Sequence, residues 1–117
     1  MGIPNDKPIT RIIQESVPGK QVTIAHVIAS PLDDIYERVG IEKGGAIGIL
    51  TLSPVETAII AADIATKAAD VEIGFLDRFT GSVILTGDVQ SVETALLQVT
   101  DVLCHQLGFD TVEVTKT

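Results

Sequence analysis

The chain has 117 residues, is 45% apolar but only 3% aromatic, and carries a formal net charge of −8 with a single cysteine. That acidity argues against nucleic acid or an anionic membrane as partner, since both demand clustered Lys and Arg, and one thiol leaves no internal disulfide. The start MGIPNDKPITR lacks an apolar targeting core and no apolar run is long enough to span a membrane, so one soluble intracellular domain is expected, its core built from Ile, Val, Leu and Ala.

Residues 1–20 hold Pro4, Pro8, Pro18 and Gly19 around ITRIIQES. Proline removes a ladder donor and fixes the backbone, so this segment reads as an arm with at most an edge strand. Ile9, Ile12, Ile13 and Val17 are nevertheless too apolar for a tail without a docking place. From Gln21, QVTIAHVIA alternates Val22, Ile24, His26 and Ile28 against Thr23, Ala25, Val27 and Ala29, which predicts a strand covered on both faces. Ser30-Pro31-x-Asp33 predicts a helix start, with Leu32, Ile35 and Val39 as its apolar stripe and Gly40 as its end. After Gly44-Gly45 comes a buried strand, AIGILTL.

Ser53-Pro54-x-Glu56 repeats the start signal for a helix over 54–69, where Ala58, Ala61, Ala62 and Ala65 permit close backbone approach and Asp63 and Lys67 stand four apart. VEIGFL and SVILT read as strands joined by a hairpin turn containing Asp77, Arg78 and Gly81. Asp88 caps a long helix whose stripe is Val92, Leu96, Val99, Leu103 and Leu107, stopped at Gly108, and TVEVT closes the chain as a strand. Residues 46–115 thus read βαββαβ, a ferredoxin-like α/β two-layer sandwich, preceded by one further strand and helix. Residues 21–117 form a single domain on this reading.

Catalytic chemistry is thin. Cys104 and His105 are neighbours on a helix and point about 100° apart, so they cannot act as nucleophile and base. His26 shares its predicted face with aliphatic residues, which suits a satisfied core or interface histidine. No His, Cys, Asp and Glu grouping has metal-ligand spacing, and the glycines at 44, 45 and 48 fall at the start of a strand, the wrong context for a phosphate loop. No cofactor is therefore expected. Asp77 and Arg78 read first as a turn, which leaves open what that turn faces.

The block SPVETAIIAADIATKAADVEIGFLDRFTGSVILTGDVQSVETALLQV resembles a bacterial microcompartment (BMC) domain: strand, Ala-rich helix ending in KAA, VEIGF strand, short turn and a GDV-capped helix. In the ordinary family order a further strand and helix follow that block. Here the matching segment, VTIAHVIASP with the helix over 31–39, comes first, so the chain is similar to the circularly permuted shell proteins of the ethanolamine- and propanediol-utilisation type (EutS/PduU-like). The arm IIQESVPGKQVT fits the same subgroup.

That resemblance implies a non-enzymatic shell subunit of a microcompartment serving ethanolamine, propanediol or choline utilisation. It implies a cyclic homo-hexamer tiling with other shell proteins, and a peptide of an encapsulated enzyme as a further partner. The turn Asp77-Arg78-Phe79-Thr80-Gly81 matches the family's pore loop. Lys67 matches its edge lysine, while Ser30 stands where the family has an edge arginine. Arm residues Ile9, Thr10, Ile12, Ile13 and Gln14 would supply a strand to a parallel barrel of six over the pore. Gly44 and Gly45 are expected to act as a hinge between the permuted unit and the rest. The contrasting reading from the sandwich alone is a small-molecule-binding regulatory protein.

Overall fold

The computed structural model describes residues 19–117, so the candidate arm positions Ile9, Thr10, Ile12, Ile13 and Gln14 lie outside the described residues. The elements are β1 (Gln21–Ile28), α1 (Asp33–Val39), β2 (Ala46–Ser53), α2 (Thr57–Ala68), β3 (Glu72–Asp77), β4 (Ser82–Gly87), α3 (Val89–Leu107) and β5 (Thr115–Lys116). The strands make one sheet in the order β3-β4-β2-β1-β5, antiparallel throughout except for the parallel pair β1–β5.

The two long helices form where their apolar periodicity requires. In α3, Val92, Leu96, Val99 and Leu103 are fully buried, while Leu107 lies at the exposed end. The Asp88 carboxylate accepts from the Ser91 N–H at 2.9 Å, and Gly108 closes the helix at φ 73°. In α2 the buried positions are Thr57, Ala58, Ala61, Ala62 and Ala65, as the small-residue stripe demands. Both helices lie on one face of the sheet, against Leu50, Leu52, Val83 and Leu85. Gly48 is part of this packing: a Cβ there would stand 2.7 Å from Val92 Cγ1.

The start signals act differently from expectation. Helix α1 begins at Asp33 with Leu32 as its cap residue, and no side-chain cap, from Ser30 or elsewhere, bonds the first backbone N–H groups. Before α2, residues 54–56 make a turn with Thr57 N–H donating to Pro54 O, and the helix proper begins at Thr57. In neither place is the proline the first residue of the helix, and at Pro54 it opens a turn ahead of it. The expected α1 stripe is also displaced. Leu32, Ile35 and Val39 are exposed, and the buried residue of α1 is Tyr36, whose hydroxyl donates to Gly45 O.

Strand β1 departs most from simple alternation. The register slips between Val22 and Ile24, a bulge that inserts Thr23 as an extra residue. Val22, Ala25 and Val27 therefore face the helices, while Ile24, His26 and Ile28 point to the other face, which is not covered throughout. His26 does not share a face with Val22. Its ring nitrogens lie 2.6 Å from Thr115 Oγ1 and 2.9 Å from Thr117 Oγ1, so the imidazole clips the terminal strand to β1.

The topology shows the permutation directly. In a plain βαββαβ sandwich the last strand would lie beside the first, β2. Here β1 takes that place, antiparallel to β2, and the terminal strand is pushed outward to a two-residue pairing with His26 and Val27. The strand expected over TVEVT, residues 111–115, does not form there: residues 111–114 are outside any strand, and the pairing begins only at Thr115.

Candidate pore and assembly surfaces

The turn between β3 and β4 is built by three local devices. The Asp77 carboxylate accepts from the Phe79 N–H at 2.8 Å, an Asx-type closure. Gly81 N–H donates to Asp77 O at 2.9 Å, and Gly81 O accepts from Leu52 N–H at 2.8 Å, which sews the turn to the end of β2. Gly81 has φ 77°, and a Cβ at that position would collide with Leu52 O, so the backbone approach requires glycine. Arg78 leaves the turn outward, its guanidinium carbon 4.9 Å from the centre of the Phe79 ring.

Asp77 and Arg78 are consequently not a pair. The carboxylate is held by backbone, and its pKa is lowered chiefly by the Phe79 N–H. The cation sits over an aromatic face. Arg78, Phe79 and Thr80 are exposed, with Phe79 at 77%. The turn thus presents cationic and aromatic groups to whatever it faces, while its acid serves the fold.

Lys67 and Ser30 are both exposed. The Lys67 ammonium bonds Asp63 Oδ2 at 2.9 Å along α2, as the spacing of four predicts. The glycine pair differs between its members. Gly44 has open space around it, whereas Gly45, at φ 70°, would drive a Cβ into Gly87 O, and its own carbonyl is held by Tyr36. The joint is thus anchored on one side and open on the other.

Among the described residues no group of His, Cys, Asp and Glu is arranged to hold a metal. His105 bonds Asp101 Oδ1 at 2.9 Å and turns away from Cys104. A cavity of about 550 Å³ between the 40–44 segment and the start of β3 is lined by Glu42, Asp70, Glu72 and Asp88 with Lys43. Asp88 is engaged as the α3 cap, and its pKa is lowered by the Ser91 N–H and hydroxyl. No helix of the described residues is long and apolar enough to cross a membrane.

The sequence was missing two signals that the structure supplies. Tyr36 lies outside the aliphatic stripe of α1 because its hydroxyl needs the Gly45 carbonyl. Phe75 was read as an ordinary strand residue, yet it is 45% exposed beside the turn.

Residues 46–114 match the BMC domain. The microcompartment shell protein CutR of Streptococcus intermedius is 60% identical over 108 residues, covering 92% of this chain and 93% of its own. The shell protein PduU of Salmonella typhimurium is 58% identical over the same shares. Among solved structures, a flat hexamer of CutR superposes with a TM-score of 0.84 at 59% identity, over 92% of this chain and 99% of that one. A screw form of CutR with a 41.9 Å pitch gives 0.81 at 56% identity, over 86% of this chain and all of that one. The matched family segment begins at β2, while the relatives align over 92% of the chain, β1 and α1 included. The chain belongs to the BMC-domain shell proteins of bacterial microcompartments, alongside CutR and PduU.

Proposed function

We propose that six copies of this chain close into a flat ring that tiles with other shell proteins around an encapsulated pathway. The observation that carries this reading is the likeness of the whole described domain to a subunit of the CutR flat hexamer. A ring of six needs two different faces on each subunit, since a rotational contact is heterologous. On this reading the turn 77–81 stands at the axis, and six Arg78–Phe79 units line the passage. The arms, including Ile9, Thr10, Ile12, Ile13 and Gln14, gather above it as a parallel barrel that satisfies their open edges. Lys67 and Ser30 lie at the outer rim, where hexamers meet. A segment of an encapsulated enzyme is the partner for the arm side.

The joint at Gly44 and Gly45 gives the ring a second geometry. The permuted unit β1–α1 connects to β2 through Gly44, which has free space, while Gly45 is locked against Gly87. The existence of both flat and screw forms for CutR supports a subunit able to bend at this point.

The test is native mass spectrometry of the full chain combined with electron microscopy of its assemblies. A six-copy ion and sheets or tubes are expected. A stable trimer or dimer that takes up a small metabolite would replace the reading with the regulatory one.

A further inference from the structure

Helix α1 is the least anchored of the described elements. No Cα of its seven residues lies within 8 Å of one in a strand, in α2 or in α3. Its aliphatic stripe, Leu32, Ile35 and Val39, is exposed, so burial supplies little to hold it in place. Two points fix it to the sheet. The Tyr36 hydroxyl donates to Gly45 O, and Ile41 fills a notch that exists because residue 74 is glycine, where a Cβ would stand 2.9 Å from Ile41 Cγ2. Other bonds of the segment are internal: Ile41 N–H donates to Tyr36 O at 3.0 Å, and the Lys43 ammonium lies 3.1 Å from Asp33 Oδ2. Residues 40–44 also form one wall of the cavity of about 550 Å³, so they lack packed neighbours on that side.

We infer that residues 30–44 form a hinged flap, released from the sheet as one unit while β1 and β2 stay paired. The pivots are set by what is held on either side. Ahead of the flap, Ala29 N–H donates to Thr117 O at 2.9 Å and fixes the end of β1. Behind it, Gly45 is packed against Gly87 O, whereas Gly44, at φ 133°, has nothing within 4 Å of a Cβ. Rotation therefore falls at residues 30–32 and at Gly44. Between the pivots the segment is bound to itself more than to the sheet, so loss of the two latch points frees all of it together. Seven residues are too few for a helix to persist without support, so the released flap unwinds. The cavity wall goes with it, and the space beside Gly74 opens to solvent. This device belongs to the single chain and holds whether or not copies close into a ring.

Native-state hydrogen exchange of the full chain, at one pH and one chain concentration, tests this with the wild type, Tyr36→Phe, Ile41→Ala and Val99→Ala. In the wild type the amides of Arg38, Val39, Gly40 and Ile41 should share one opening. They should exchange about 100-fold or more faster than the β2 amides, after correction for intrinsic rates. Tyr36→Phe and Ile41→Ala each remove one latch point and should speed the flap amides about 5-fold or more. Val99 is fully buried on α3, which α1 does not reach. Val99→Ala should speed the β2 amides about 10-fold or more and leave the flap amides within about twofold of wild type, because the flap opens without unfolding the core. If one latch variant fails to give a cooperative melt, the other carries the test. Flap amides as slow as those of β2, or speeded equally by Val99→Ala, would show that α1 unfolds only with the whole domain and would overturn the inference. Flap rates unchanged in the latch variants would overturn it as well.

Discussion

Replacing Gly81 by Ala separates two costs that glycine avoids in the 77–81 turn. The first is conformational: a Cβ at φ 77° costs about 1 kcal/mol. The second is a collision of that Cβ with Leu52 O, a backbone atom that cannot rotate away. Relief requires the turn to move off β2, which loosens the 2.8 Å bond from Leu52 N–H to Gly81 O and the 2.9 Å bond from Gly81 N–H to Asp77 O. At about 1 kcal/mol per bond the total is roughly 2–4 kcal/mol. Gly108 supplies the control, since it has nearly the same φ, 73°, with nothing within 4 Å of a Cβ. Gly108→Ala should therefore cost only the conformational part, about 1 kcal/mol. Urea unfolding at one fixed chain concentration measures both, which keeps any assembly contribution equal. A Gly81→Ala loss within about 0.5 kcal/mol of the Gly108→Ala loss would refute the collision argument.

Four further outcomes are expected. Tyr36→Phe should destabilise by about 1 kcal/mol, because it leaves Gly45 O without its donor, and thermal melts will read this. Gly45→Val must displace Gly87 O or the joint itself, so it should shift the balance of ring geometries towards a single form; identical subunit conformations for wild type and variant across several crystal forms would sink the hinge. Lys67→Ala should change intrinsic stability by about 0.5 kcal/mol or less, since its pair with Asp63 is exposed, and should reduce sheet formation in electron micrographs while leaving rings intact. The pKa values of Asp77 and Asp88 are both depressed in the fold, so their stabilisation is fully present above the ordinary carboxylate range and is lost as pH falls through the lower folded values. Melting temperature should therefore drop with acid below about pH 4, and the double variant Asp77→Asn, Asp88→Asn should flatten that limb; an unchanged slope would contradict the assignment.

Much of the fold was legible because long periodic segments decide their own state. The alanine stripe of α2 and the aliphatic stripe of α3 predicted both helices and the residues they bury. The capping Asp88 and the terminating Gly108 were equally local signals, visible as a residue type at a fixed offset. What escaped were features set by pairing. The bulge at Thr23 depends on how β1 meets β2, and alternation read from one strand put Val22 on the face of Ile24, His26 and Ile28, whereas it faces the helices. The terminal strand was placed too early, because it forms only where it meets His26 and Val27 of β1, at Thr115 and Lys116. The turn was correctly located, but what its two charged side chains bond to was not legible. In three dimensions the Phe79 N–H claims the acid and the Phe79 ring takes the base.

The most direct test of the central claim is a cryo-electron microscopy reconstruction of the ring formed by the full chain. Six copies with the 77–81 turns converging on the axis, Arg78 and Phe79 lining the passage, are predicted. A ring with those turns at its outer rim, or an assembly without sixfold closure, would contradict it.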